Sequence, residues 1–172
     1  MARNIEIKAR VHDPAALRVR IAGIATSGPE ILLHRDTFYN APAGRLKLRE
    51  FADKNAELIY YKRPDQPGPK TSIYTRTPVP DAASMRELLG RCLGTKAVVA
   101  KSRELFLAGQ TRIHLDKVEG LGAFMELEVV LSPGQSEAEG EQIASDLMGR
   151  LGIRETELVE PAYVDLLERA SA

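Results

Sequence analysis

The stretch that decides the fold is Thr111-Arg-Ile-His-Leu-Asp-Lys-Val-Glu-Gly-Leu-Gly-Ala-Phe-Met-Glu-Leu-Glu-Val-Val-Leu131. It predicts two strands joined by a turn that contains glycine. Along both strands aliphatic residues alternate with a second set, which is Arg112, His114, Asp116, Phe124, Glu126 and Glu128. Because successive side chains of a strand point to opposite faces, each strand has one apolar face and one ionisable face. The two carboxylates of the second strand repel each other, so solvent ions, basic side chains or a bound metal must face them.

Six other segments have strand character, so eight strands are predicted in all. They are residues 4–11, 30–39, 45–51, 57–63, 70–77 and 97–107. Four helices are predicted: one that begins at Asp13-Pro14 and ends before Gly28-Pro29, then Ala82–Leu93, Glu137–Leu151 and Ala162–Arg169. Eight strands with short hairpin links are typical of one closed antiparallel barrel. The expected fold is therefore α+β, an eight-stranded closed antiparallel β-barrel, or tunnel, with helices packed outside.

Length and composition bound the class of protein. A chain of 172 residues with 44% hydrophobic residues predicts a single domain over residues 1–172. Its 24 basic and 24 acidic residues cancel, so the molecule as a whole does not attract nucleic acid or an anionic membrane. No run is long enough to span a membrane and the N-terminus lacks a signal-peptide core, so a cytoplasmic protein is expected. The one cysteine, Cys92, falls in a helical pattern and is expected in the core.

The charged residues are segregated onto one face of each strand. The basic ones are Lys8, Lys47, Arg49, Arg63, Arg76, Lys101, Arg103 and Arg112, and the acidic ones are Glu6, Asp116, Glu126 and Glu128. If these faces point outward, the aliphatic faces fill the barrel and form an ordinary core. The helices favour the opposite arrangement, because their apolar stripes need an apolar sheet surface to cover. The charges then line the interior.

An interior with so many cations requires a matching anion, because burying isolated charge is very costly. A polyphosphate fits this requirement, since its many oxygens match arginine forks and lysine ammonium groups. Carboxylates on one wall suit a hard divalent cation such as Mg²⁺ or Mn²⁺, held partly by protein and partly by phosphate oxygen. The charge pattern therefore predicts a polyphosphate site with a divalent metal.

An ordered set of motifs resembles the CYTH superfamily, whose members are also called triphosphate tunnel metalloenzymes. The motifs are Glu6-x-Lys8, Asp36-Thr-Phe-Tyr39, Leu46-Lys-Leu-Arg49, Tyr61-x-Arg63-Pro64 and Asp116-x-x-Glu119-Gly-Leu-Gly-x-Phe-x-Glu126-x-Glu128. The resemblance covers about residues 3 to 167. Its last segment, with Gly-Leu-Gly, is most similar to the class IV adenylyl cyclase branch.

The resemblance implies roles for individual residues. Members of the family form an eight-stranded antiparallel tunnel that binds triphosphate with a divalent metal. By resemblance Glu126 and Glu128 hold the metal with Asp116 close by, and Glu6 lies on the acidic wall and assists a metal or an attacking water. The triphosphate-binding residues are then Lys8, Lys47, Arg49, Arg63, Arg103 and Arg112, with Arg76 and Lys101 matching less closely. The catalytic candidates are Glu6, Lys8 and Arg112.

Two positions keep alternatives open. The family signature opens Glu-x-Glu-x-Lys, whereas this chain has Asn4-x-Glu6-x-Lys8. An amide is a neutral ligand, so the substitution weakens any metal site that uses the first carboxylate and leaves the number of metals open. His114 is either a group that titrates near neutrality during catalysis or a polar residue of the tunnel wall.

Three functions remain compatible with the sequence. The first is an adenylyl cyclase-like enzyme that converts ATP to cyclic AMP and pyrophosphate. The second is a triphosphatase acting on inorganic tripolyphosphate, thiamine triphosphate or a nucleoside triphosphate. The third is a non-catalytic polyphosphate or nucleotide binder, against which the acidic set weighs. No nucleic-acid or membrane partner is expected, and a homodimer stays open.

Overall fold

The computed structural model describes residues 2–66 and 68–171. It contains strands β1 (Ala2–Arg10), β2 (Ser27–Tyr39), β3 (Arg45–Phe51), β4 (Ala56–Lys62), β5 (Lys70–Pro78), β6 (Thr95–Ala108), β7 (Thr111–Val118) and β8 (Gly122–Val130). The helices are α1 (Pro14–Ala22), α2 (Ala82–Leu93), α3 (Glu137–Leu151) and α4 (Tyr163–Ala170), with a short 3-10 turn at Glu155–Glu157. Within the described ranges, no helix is both long and apolar enough to cross a lipid bilayer.

The eight strands form one closed barrel in the order β1-β5-β4-β3-β2-β6-β7-β8, and every neighbouring pair is antiparallel. The strand β1 closes it, because it pairs with β5 on one side and β8 on the other. Closure satisfies the backbone groups that would otherwise form sheet edges. The predicted eight-stranded closed antiparallel barrel is confirmed.

The main hydrophobic core lies outside the barrel wall, between the wall and the helices. Ile5 and Ile7 of β1 are fully buried there against Leu17 of α1 and Leu147 of α3. The period-2 pattern of the strands therefore turns its aliphatic side outward, toward the amphipathic helices. This arrangement leaves the charged side of each strand for the interior.

Side chains cap three of the helices at the positions expected from the sequence. Asp13 accepts a hydrogen bond from the backbone N–H of Ala16, and Asp81 accepts one from Ser84. At α3 the Ser136 hydroxyl and the Glu139 carboxylate exchange bonds with each other's backbone N–H. These bonds satisfy amide groups that have no partner within the helix.

Two local expectations are wrong. Cys92, expected in the core, is exposed on α2, because the buried contacts of this short helix are made by Met85, Leu89 and Leu93. The strand β2 begins at Ser27 and not at the predicted residue 30, so Gly28-Pro29 lies within it. Gly28 adopts φ +106°, and a Cβ there would lie 2.6 Å from the carbonyl oxygen of Leu105, so only glycine lets the two strands approach this closely.

The helix α4 lies over one end of the barrel and closes it. Its first residue, Tyr163, packs edge-on against Phe124 with ring centroids 5.1 Å apart, in a buried cluster with Phe38 and Val99. The segment before α4 is tied to the barrel by the buried ammonium of Lys70, which donates to the carbonyls of Gln66 and Glu160. One end of the barrel is therefore filled by apolar side chains.

Candidate active site

A central cavity of about 230 Å³ lies inside the barrel and is called the tunnel here. Among the residues that the structure describes, eight basic and five acidic side chains line it, which leaves an excess of three formal positive charges. The basic ones are Lys8, Lys47, Arg49, Arg63, Arg76, Lys101, Arg103 and Arg112. The acidic ones are Glu6, Asp36, Glu57, Glu126 and Glu128. Every basic residue assigned to triphosphate from the sequence lies on this wall.

The first pair of cations is held by Asp36 on β2. Its carboxylate accepts hydrogen bonds from Arg49 Nε at 2.7 Å and Nη2 at 2.6 Å, and from Lys47 Nζ at 2.8 Å. Burial alone would raise the pKa of Asp36, but Arg49 and Lys47 hold it well below its usual range. Arg49 stands directly opposite Asp36 in the β2–β3 register. The strand pairing therefore fixes where both cations point.

The second pair repeats this arrangement on the other side of the barrel. Asp116 on β7 accepts bonds from Arg103 Nε at 2.7 Å and Nη2 at 2.6 Å, with Lys101 Nζ at 3.3 Å. The hydroxyl of Tyr163 donates to the same carboxylate at 3.0 Å. Burial opposes the charge of Asp116, but Arg103 and Lys101 lower its pKa. One aspartate of the neighbouring strand thus anchors each of the two Lys-x-Arg segments, which are Lys47-x-Arg49 on β3 and Lys101-x-Arg103 on β6.

Asp116 lies behind the tunnel wall and not on it. Its side chain has no exposed surface, and it is absent from the residues that line the cavity. Four donor atoms from three residues already bond to its oxygens. We therefore propose that Asp116 positions Arg103 and Lys101, in place of the metal-binding role that the resemblance implies.

Glu126 and Glu128 project from β8 into the tunnel beside three cationic side chains. Glu126 lies 3.2 Å from Lys8 Nζ and also contacts Arg103, and Glu128 lies 2.8 Å from Arg112. Burial would raise the pKa of Glu126, but Lys8 and Arg103 hold it well below its usual range. The pKa of Glu128 is lowered as well, so both shifts favour the carboxylate form that binds metal.

On β1, Glu6 and Asn4 share the tunnel-facing side. Glu6 accepts a bond from Arg63 at 3.0 Å. Burial raises the pKa of Glu6 more than Arg63 lowers it, and Glu128 adds to the rise. In residues 2–66 and 68–171, no group donates a hydrogen bond to the buried Oδ1 of Asn4. This oxygen is an unused neutral acceptor where the family signature has a carboxylate.

The end of the tunnel opposite α4 has an apolar rim that the charge pattern of the sequence does not predict. Leu32, Phe51 and Leu105 line it, and the buried ring of His34 packs edge-on against Phe51 with centroids 5.0 Å apart. Burial, followed by the nearby Arg49, lowers the pKa of His34 to about 2, so its imidazole is neutral. The signal was present in the alternation of these residues with outward-facing ones. A pattern of charged residues alone does not reveal it.

Arg76 differs from the other tunnel cations. Its side chain is 56% exposed, and its only close acidic neighbour in the described chain is Glu57, at 3.7 Å. It lies toward the open end, whereas Lys101 and Arg103 are nearly fully buried. The structure therefore separates Arg76 from the tightly held cations.

The fold and the site together define a closed barrel whose hollow centre is lined by more basic than acidic side chains. A family model for the CYTH domain matches residues 2–163, and the chain belongs to this family.

Known proteins agree with this assignment. The chain is 25% identical over 180 residues to adenylate cyclase CyaB of Aeromonas hydrophila, covering 97% of this chain and 90% of the relative. The PH1012 protein of Pyrococcus horikoshii is 25% identical, with a TM-score of 0.84 over 95% of this chain and 98% of that one. The HpAC1 protein of Hippeastrum, described as having a dominant triphosphatase activity, is 14% identical with a TM-score of 0.66, covering 98% and 96% of the two chains. At that identity the likeness shows the fold alone.

Proposed function

We propose that this protein is a metal-dependent enzyme that binds the triphosphate of ATP in its tunnel and converts ATP to cyclic AMP and pyrophosphate. The observation that carries the proposal is the pair of Lys-x-Arg segments, each locked by an aspartate, facing the carboxylates of β8. The relative named adenylate cyclase supports the choice of reaction. The membership in the CYTH family supports a triphosphate substrate.

The residues on the β8 side fit a divalent cation. Glu126 and Glu128 supply hard oxygen donors on one wall, the type of ligand that Mg²⁺ and Mn²⁺ prefer. A cation held there would neutralise charge on the phosphate oxygens. Glu6 lies on the neighbouring strand, directly opposite Glu128 in the register, and is the third carboxylate within reach of the same region.

The fixed cations can stabilise the leaving group. In cyclisation the ribose 3′-oxygen attacks the α-phosphorus, the bond to the bridging oxygen of the β-phosphate breaks, and the charge of pyrophosphate grows. Arg49, Arg103 and Lys47 are held in place before the substrate arrives, so they stabilise that charge without reorganising. Lys8 and Arg112 flank the β8 carboxylates and are placed to contact phosphate beside the metal. We assign to Glu6 the role of the general base, which accepts the proton of the attacking 3′-hydroxyl.

The apolar rim favours a substrate that carries an organic group. Leu32, Phe51 and Leu105 offer surface to a nucleobase, whereas inorganic tripolyphosphate has nothing to bury there. The neutral His34 adds a hydrogen-bonding group next to Phe51. The second candidate function, hydrolysis of a triphosphate by water, uses the same cations, and it differs in which phosphorus faces the nucleophile.

The two reactions are separated by their products. Purified protein is incubated with ATP, and separately with tripolyphosphate, in the presence of Mg²⁺ or Mn²⁺, and the products are resolved by chromatography. We expect cyclic AMP and pyrophosphate in equal amounts from ATP. Release of orthophosphate with no cyclic product would reject the cyclase and support the triphosphatase. Boiled protein and reactions without metal are the controls.

A further inference from the structure

His114 lies at the centre of the acidic wall and has an unused ring nitrogen. It faces the tunnel from β7 and stands directly opposite Glu126 in the β7–β8 register. Its side chain is only 4% exposed. In the part of the chain that the structure describes, Nδ1 has no hydrogen-bond partner. A buried ring nitrogen without a partner costs free energy, so its position calls for a ligand.

The distances around Nδ1 match a bound ion better than a hydrogen bond. The atom lies 3.7 Å from Glu126 Oε2 and 3.7 Å from Glu128 Oε1, too far for hydrogen bonds. One donor atom from each of the three residues lies within 4.8 Å of the others. An octahedral ion with bonds of about 2.1 Å places adjacent donors about 3.0 Å apart and opposite donors about 4.2 Å apart. The three donors need only a small contraction to share one ion.

The neighbouring cations leave room for this ion. Arg112 holds Oε2 of Glu128, while the other oxygen, Oε1, faces His114. Lys8 pairs with Oε1 of Glu126, and Arg103 contacts Oε2, the oxygen nearest His114. A carboxylate oxygen has two lone pairs, so the contact with Arg103 leaves one of them unused. Two hydrogen bonds to Asp116 fix the position of Arg103. Each carboxylate therefore keeps acceptor capacity toward the imidazole.

We propose that Nδ1 of His114 is the third protein donor of the metal site, which makes the site a mixed nitrogen and oxygen set. An imidazole nitrogen suits transition metals, whereas Mg²⁺ strongly prefers oxygen. The site then prefers Mn²⁺ over Mg²⁺ more strongly than a site of two glutamates would. The inference rests on the proposed function only in that both use Glu126 and Glu128.

The test measures metal binding without turnover. Mn²⁺ is added to the purified protein, alone and with tripolyphosphate, and pulsed electron paramagnetic resonance reports any ¹⁴N nucleus bonded to the ion. We expect a directly coordinated ¹⁴N signal in the wild type and its loss in His114→Gln, with Mn²⁺ affinity falling about tenfold or more and Mg²⁺ affinity changing less. The matched control is His34→Ala, which removes the other buried tunnel histidine and should leave the signal intact.

The outcomes separate the two proposals. Mn²⁺ that binds to the wild type without a ¹⁴N signal overturns the role of His114 and leaves the two-glutamate site standing. A signal that persists in His114→Gln, or disappears in His34→Ala, overturns the assignment as well. Failure of Mn²⁺ to bind with or without tripolyphosphate overturns the metal site itself. Because the wild-type spectrum alone decides the first outcome, the test does not depend on the folding of a variant.

Discussion

Replacing Glu126 by glutamine is expected to reduce turnover about 10³-fold, equivalent to about 4 kcal/mol of transition-state stabilisation. The change removes one charged metal donor and keeps the shape of the side chain. The barrel should stay folded, because both cations beside Glu126 keep other partners. Arg103 retains Asp116, and Lys8 retains the carbonyl of Pro161. The measurement is the rate of ATP consumption at saturating Mn²⁺, with circular dichroism to follow the fold.

The matched control is Glu104→Gln on the outer side of the barrel. Glu104 lies on β6 and pairs with Arg18 of α1 at 2.7 Å, so this variant also deprives one arginine of a strand carboxylate. Its turnover should equal that of the wild type within about twofold, because an exposed ion pair contributes little. If Glu126→Gln consumes ATP at the wild-type rate, the assignment of the metal to the β8 wall is wrong.

Replacing Asp116 by asparagine is expected to lower the free energy of unfolding by about 3 to 5 kcal/mol. The change leaves the buried Lys101 without its carboxylate and leaves the buried Arg103 with Glu126 as its remaining acidic partner. The pKa of Asp116 is lowered below 3.8 in the folded protein, so its contribution is fully present above about pH 4. It is lost as the pH falls toward the folded-state pKa. Urea denaturation at neutral pH measures the difference directly.

The control for this loss is Glu87→Gln, which breaks the exposed pair of Glu87 and Arg91 on α2. It should change the free energy of unfolding by less than about 1 kcal/mol, since solvent screens both groups. Equal stability of Asp116→Asn and the wild type would show that Asp116 does not anchor the inner wall. The metal-binding role implied by the family resemblance would then be favoured again.

The barrel and the identity of its inner wall could be predicted from the sequence because both depend on a period of two. Alternation assigns each strand residue to a face, and the amphipathic helices decide which face is outside. The sequence therefore predicts that the segments Lys47-x-Arg49 and Lys101-x-Arg103 face the interior. The same alternation predicts the acidic face of β8, since its two glutamates are two residues apart.

The parts that could not be predicted depend on contacts between distant segments. Pairing of Asp36 with Arg49 and of Asp116 with Arg103 follows from strand register, which a pattern of alternation does not supply. The position of Tyr163 inside the end of the barrel depends on where α4 docks. The residues of the apolar rim carry no charge, so no charge pattern in the sequence marks them.

Binding of the triphosphate by the tunnel cations can be measured by calorimetric titration with ATP at pH 8. A chelator is present so that turnover stops. We expect saturable binding with Kd of about 10–100 μM, together with proton uptake. Burial lowers the pKa of Lys47 to about 7 in the free protein, and adjacent phosphate raises it again. AMP should bind far more weakly, because one phosphate does not reach both anchored cation pairs. No saturable heat at millimolar ATP, or equal binding of AMP, would contradict the account.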